Sequence, residues 1–120
     1  MADHNELGEK GEEIALQHLE KNGFEILDTN WRFGKDEIDI IARKSDELII
    51  VEVKTRINEY FGDPEEFVST GKQKRLIKAA NAYIEEKDLD LETRFDVIAI
   101  ILNSKYQKIN HIEEAFGPQW

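Results

Sequence analysis

The spacing of apolar positions changes along this chain, and each change marks an element. In residues 5–22 the small or apolar positions Leu7, Gly11, Ile14, Ala15 and Leu19 follow the helix period, and Asn22-Gly23 supplies a stop. Phe24–Asp28 predicts a first strand, followed by the polar-aromatic stretch Asn30-Trp31-Arg32-Phe33-Gly34. Residues 37–43 and 48–55 are β-branched and aliphatic runs around a polar Lys44-Ser45-Asp46-Glu47 turn, the pattern of a hairpin. Arg56–Val68 is irregular and aromatic, centred on Tyr60-Phe61-Gly62-Asp63-Pro64. Thr70 with Gln73 reads as a capping box opening a second helix, whose inward stripe is Leu76, Ile77, Ala80, Tyr83 and Ile84. Arg94–Leu102 is too short and too rich in Val and Ile for a helix, and Lys108–Ala115 is expected as a last edge strand before the Gly117–Trp120 tail. The order α-β-β-β-α-β-(β) predicts an α/β fold with a mixed sheet between helices. No repeat or Pro/Gly/Ser linker divides the chain, so residues 1–120 are expected to form one domain.

Three charges interrupt the hairpin where apolar residues belong: Asp39, Glu52 and Lys54. Alternation along a strand puts Glu52 and Lys54 on one face. An even turn centred between Ser45 and Asp46 sets Asp39 opposite Glu52 and Glu37 opposite Lys54 on that face, whereas an odd loop separates them. Directly opposed like charges destabilise a sheet, and burying them unpaired costs several kcal/mol more. A divalent metal ion held by two carboxylates is the simplest cation to offset that cost. A half-solvated hairpin carrying ordinary surface charges would show the same spacing, but Ile41, Leu48 and Ile50 share the face and argue that it is not simply wet. On the first helix Glu12 lies within a turn of Gly8 and Gly11. Each glycine costs a helix about 1 kcal/mol relative to alanine, so the pair suggests close packing of the helix backbone against the sheet.

Composition narrows the function without deciding it. The chain has 120 residues, 40% of them hydrophobic, and 16 basic against 26 acidic side chains give a formal charge of −10. Such a balance opposes tight, sequence-independent wrapping of nucleic acid. The basic residues are clustered, however: Lys72, Lys74, Arg75 and Lys78 fall on the second helix, and Arg32, Lys35, Arg43, Lys44 and Arg56 flank the hairpin. The absence of cysteine removes disulfides, thiolate metal sites and thiol nucleophiles, and fits a reducing cytoplasm. No signal peptide or long apolar span is recognisable, so neither secretion nor a membrane partner is expected. His4, His18 and His111 are too scattered to suggest a histidine-rich metal site.

Several short motifs, in order, resemble the YraN family of predicted bacterial endonucleases. They are Gly11-Glu12, Glu37-Ile38-Asp39-Ile40-Ile41-Ala42, Val51-Glu52-Val53-Lys54-Thr55-Arg56, Phe61-Gly62, Lys72-Gln73 and Arg94-Phe95-Asp96-Val97-Ile98. They also look like those of archaeal Holliday junction resolvases within the restriction endonuclease-like PD-(D/E)xK superfamily. The resemblance spans about Gly8 to Phe116. It implies a restriction endonuclease-like core and Mg²⁺-dependent hydrolysis of phosphodiester bonds in structured or branched DNA, with Mn²⁺ as a substitute. It further implies that Asp39, Glu52 and the Val53 carbonyl bind the metal, that Lys54 positions or deprotonates the attacking water, and that Glu12 completes the acidic cluster. The sequence departs from the pattern at Ile38, where the superfamily name has proline, and at Asp36, where YraN-like chains usually have glycine.

Arg56, Lys72, Gln73 and Arg75 are candidate nucleic-acid contacts, against the plainer readings of a solvated helix face and, for Gln73, a cap. Trp31, Tyr60 and Phe61 are candidates for stacking on unpaired bases or for packing beneath loops. Asp96 is expected to support the fold, and His111 with Glu114 is expected to be incidental. A homodimer would suit a four-way junction. The alternative function is a non-catalytic nucleic-acid-binding or protein-interaction module that retains the nuclease fold.

Overall fold

A computed structural model describes residues 4–58 and 68–117. The elements run α1 (His4–Lys21), β1 (Glu25–Phe33), β2 (Asp36–Lys44), β3 (Glu47–Arg56), α2 (Thr70–Lys87), β4 (Glu92–Leu102) and β5 (Gln107–Phe116). They form the expected α/β architecture, a mixed five-stranded sheet in the order β1-β2-β3-β4-β5 with two helices. Neighbouring strands are antiparallel except β3 and β4, which are parallel and are joined through α2. The Tyr60–Pro64 centre of the aromatic connection, with Phe61, lies outside the described residues, as do Pro118–Trp120.

Each face of the sheet carries its own core. Ala15 and Leu19 of α1 pack with Ile40, Ala42, Ile49, Val51, Ile98 and Ile100. On the opposite face Leu76, Ala79, Ala80 and Tyr83 of α2 pack with Ile38, Ile41, Leu48, Ile50, Phe95 and Val97. Burial on both faces explains why β3 and β4 read as continuous aliphatic runs and not as alternating ones.

The hairpin turn has two residues, Ser45-Asp46, between paired Lys44 and Glu47, and Ser45 takes the positive φ (54°) that such tight turns use. The turn is therefore even, and the recorded pairing runs to Ile40 opposite Val51. Asp39 and Glu52 follow immediately beyond that last pair. Strand alternation slips at this point, because Ile38 and Ile41 pack on the α2 face while Ile40 packs on the α1 face. Asp39 sits in the slip and turns its carboxylate toward β3, where Oδ2 accepts the Val53 N–H at 2.8 Å. The slip also corrects the expected placement of Glu37 on one face with Glu52 and Lys54. Glu37 reaches back to β1, pairing with Arg32 at 3.1 Å and accepting from Asn30.

Three other expectations change in detail. β1 continues through Asn30-Trp31-Arg32-Phe33, with a register shift between Ile26 and Asp28 and a positive φ of 51° at Asn30. These irregularities break the period that would have marked it as one strand. Helix α2 is capped by Ser69, whose hydroxyl accepts the Lys72 N–H at 3.2 Å, while the Gln73 amide donates to the Val68 carbonyl. Thr70 is thus the first helical residue and not the cap. Trp31 packs edge-on against Tyr83, whose hydroxyl donates to Asp28 at 2.8 Å.

Asp96 supports the fold as expected, and does so with a full set of partners. It is completely buried, receives two guanidinium hydrogen bonds from Arg94 at 2.9 and 3.0 Å, and lies 2.7 Å from His111 Nε2. The Glu114 N–H also donates to it, brought there by a bulge of β5 in which Glu114 has φ 49°. Burial alone would raise the Asp96 pKa, but His111, Arg94 and Glu114 outweigh it and hold the carboxyl below its ordinary value. His111 is therefore structural, and its Nδ1 stands 3.1 Å from His18 Nε2 on α1.

The two glycines of α1 differ. A Cβ on Gly11 would lie 2.9 Å from the Thr55 Cβ and closer still to its hydroxyl, so this is where the helix backbone approaches β3. A Cβ on Gly8 would meet nothing within 4 Å, so the expected close packing there is not found. Gly8→Ala is expected to stabilise the protein by about 0.5–1 kcal/mol through helix propensity. Gly11→Ala is expected to destabilise it by about 1–3 kcal/mol through overpacking. Urea denaturation of the two variants checks both signs.

Candidate active site

The C-terminal half of β3, the slip in β2 and the N-terminal half of α1 enclose an open cleft of about 430 Å³. Its walls include Gly8 and Glu12 of α1, Asn30 of β1, Glu37 and Asp39 of β2, and Val53, Lys54 and Arg56 of β3. A smaller cavity of about 240 Å³ shares Glu37 and Asp39 with it and adds Lys35, Asp36, Glu52, Lys72 and Arg75. The aliphatic positions Ile49, Ile50, Val51 and Val53 fix β3 in the sheet, and that fixed strand carries Glu52 and Lys54 into the site.

Glu52 is 3% exposed. Its Oε2 forms a close ion pair with Lys72 of α2 and a longer one, 3.8 Å, with Lys54. Even so, no well-directed hydrogen bond reaches that buried oxygen. Burial first, then hydrogen-bond contact with Glu52 and its charge, push the Asp39 carboxyl up to about 9, despite the opposing Val53 N–H. The Asp39 carboxyl therefore keeps its proton at neutral pH in the metal-free protein. Burial also lowers the Lys54 pKa, with Lys72 and Arg56 adding to the effect and Glu52 opposing it. Burial disfavours the Lys72 ammonium too, yet its contacts with Glu52 more than compensate and its pKa rises.

Asn30 is the residue that sequence reasoning missed. One side-chain amide donates at 2.9 Å both to Glu12 Oε1 and to Glu37 Oε1, tying α1, β1 and β2 together at the cleft. An asparagine amid aromatic and charged residues was the available signal, since asparagine tolerates the left-handed backbone adopted there. Burial raises the Glu12 pKa, opposed by the Asn30 hydrogen bond and reinforced by the charges of Glu37 and Glu52.

Asp39, Glu52, Val53 and Lys54 thus come together, with Glu12 across the same cleft. Among the described residues no three His, Cys, Asp or Glu side chains converge as a metal-binding group, so the acidic centre is a pair with Glu12 standing off. Oxygen donors on two carboxylates suit a hard cation such as Mg²⁺ or Mn²⁺, which keeps several waters of its own. The undersatisfied Glu52 oxygen is consistent with such a guest. Arg56 lines the main cleft, and Arg75 lines the smaller cavity while pairing with Asp36 at 3.4 Å. Gln73 is engaged with the Val68 carbonyl.

A family model described as "Uncharacterised protein family UPF0102" matches residues 11–100, three quarters of the chain. The chain belongs to UPF0102. This is the YraN-like family that the sequence motifs resemble. A UPF0102 protein of Flavobacterium psychrophilum is 53% identical over 116 residues, and one of Christiangramia forsetii is 52% identical over 116 residues, each covering 97% of this chain and 98% of its own length. A UPF0102 protein of Bacteroides thetaiotaomicron is 49% identical over 118 residues, 98% of both chains. The UPF0102 match includes Glu12, Asp39, Glu52, Lys54 and Lys72. No helix among the described residues is long and apolar enough to cross a membrane.

The Asp39 shift has a pH signature. The ordinary aspartate value is 3.8 and the folded value is about 9, so in that window the folded protein binds a proton that the unfolded chain lacks. Stability contributed by this group falls as pH rises through the window and levels off above it. In EDTA, Asp39→Asn is expected to be more stable than wild type at pH 8, by on the order of a few kcal/mol, with a smaller gap at pH 5. Thermal melts at both pH values measure the difference. A gap that does not depend on pH would mean that Asp39 ionises like an exposed carboxylate.

Proposed function

We propose that this protein is a Mg²⁺-dependent endonuclease that hydrolyses phosphodiester bonds in structured or branched DNA. The observation that carries this reading is the half-buried Asp39 against the buried Glu52, beside Lys54, at the wall of an open cleft. The resemblance to the restriction endonuclease-like superfamily supports the same assignment. Mg²⁺, or Mn²⁺ in its place, would be held by Asp39, Glu52 and the Val53 carbonyl, and would supply Lewis-acid stabilisation and a more acidic water.

The protein's own residues account for the remaining requirements. Lys54, with its pKa lowered by burial, is suited to take a proton from the attacking water at Nζ, and as an ammonium it offsets charge developing on phosphorus-bound oxygen. Water oxygen forms the new bond to phosphorus while the bond to the leaving deoxyribose oxygen breaks, and the leaving oxygen is protonated from solvent. Glu12 and Glu37, bridged by Asn30, fix the opposite wall of the cleft. Arg56 and Arg75 extend positive charge along the two cavities toward the flanking phosphates. This local supply of cations reconciles a DNA substrate with a chain of net charge −10.

Calorimetric titration of Mg²⁺ and Mn²⁺ into wild type and the Asp39→Asn/Glu52→Gln variant, with cleavage assays on duplex, flap and four-way-junction DNA, tests the proposal. Metal binding and cleavage are expected in wild type, and the variant should lose the metal and at least about 10²–10³-fold in cleavage rate. Cleavage that survives in the variant would overturn the assignment. Metal-independent binding of branched DNA, unchanged by Glu52→Gln, would favour the non-catalytic module.

A further inference from the structure

Two ammonium groups from different elements crowd one oxygen. Lys54 approaches Glu52 Oε2 from the same strand, and Lys72 reaches it from the first turn of α2. Both ammonium groups sit on the same oxygen and repel each other, an arrangement that like charges resist. Lys54 belongs to this strand by geometry, since Glu52 and Lys54 necessarily share a face. Lys72 does not. Its backbone is pinned by the Ser69 cap, but its side chain is one-third exposed (32%) and also lines the smaller cavity beside Lys35 and Arg75.

We infer that Lys72 is a stand-in cation: it neutralises Glu52 in the metal-free protein and is displaced by the divalent ion, which frees its ammonium to bind a substrate phosphate in the cavity beside Arg75. The inference rests on the metal-dependent nuclease reading and assigns Lys72 a positioning role within it. A divalent cation on Glu52 repels the ammonium and removes the charge that held it, so occupancy of the carboxylate by metal and by Lys72 is mutually exclusive. The pinned backbone confines the change to rotations of a flexible side chain. Metal loading and phosphate affinity then become linked, each favouring the other to the same extent. Such linkage suits an acidic protein, because the phosphate-binding charge becomes available only once the site is loaded.

The test is calorimetric titration of Mn²⁺ into wild type, Lys72→Met and Lys54→Met, with thermal melts to show that each is folded and Lys72→Gln as a second variant. Both methionine variants remove one positive charge beside the same carboxylate. Lys72→Met is expected to bind Mn²⁺ about tenfold more tightly than wild type, the scale of a lost close ion pair at a buried carboxylate, and Lys54→Met is expected to gain less. Binding of a four-way-junction DNA, made in Ca²⁺ and in EDTA, is expected to strengthen with the metal in wild type and to lose most of that gain in Lys72→Met. Equal Mn²⁺ gains in the two variants, or no gain in Lys72→Met while wild type binds Mn²⁺, would overturn the stand-in role and leave the nuclease reading intact. Failure of every variant and of wild type to bind Mn²⁺ would instead overturn the metal reading itself, and this inference with it.

Discussion

The juxtaposition of Asp39 and Glu52 governs the rest of the site. Two carboxylates meet where β2 and β3 part, in a sheet whose neighbouring positions are packed with isoleucine and valine. Glu52 is buried and Asp39 half-buried, so water solvates the two charges incompletely and cations or a proton offset the rest. In the metal-free chain this is done by a proton held on Asp39 and by ammonium groups turned onto Glu52.

A second buried carboxylate shows what a purely structural solution looks like. Asp96 is buried completely where Asp39 is only half-buried, yet Arg94, His111 and the Glu114 N–H saturate it, and its pKa falls where that of Asp39 rises. The same fold can therefore satisfy a buried acid completely, and a bulge in β5 is part of the means. At Asp39 and Glu52 the chain does the reverse: the slip in β2 brings one carboxylate to face another and leaves Glu52 Oε2 without a well-directed hydrogen bond. Asp39 lines an open cleft, whereas Asp96 is closed off from solvent.

Much of this was legible in the sequence because the relevant signals are local. The helix period, the aliphatic runs and the even turn at Ser45-Asp46 determine the element order and carry the pairing to Ile40 opposite Val51, next to Asp39 and Glu52. The Gly11 contact with Thr55 was foreshadowed by a glycine inside a helical pattern, although Gly8 carried the same signal without the contact. What escaped was tertiary. The reversal of faces around Asp39 violates the alternation from which faces are read, so Glu37 was assigned to the wrong neighbours. Asn30 joins Glu12 to Glu37 only after β1 has irregularly extended past Asp28. Lys72 reads as one basic residue among several on an exposed turn, and only the placement of α2 over the sheet aims it at Glu52.

Anomalous diffraction from crystals of the protein soaked in Mn²⁺ most directly tests the claim that this carboxylate pair is a cation site. The expected result is a Mn²⁺ peak bonded to both the Asp39 and Glu52 carboxylates, with the Lys72 ammonium no longer on Glu52. A soaked crystal with no peak at these residues, and with Lys72 still seated on Glu52, would contradict it.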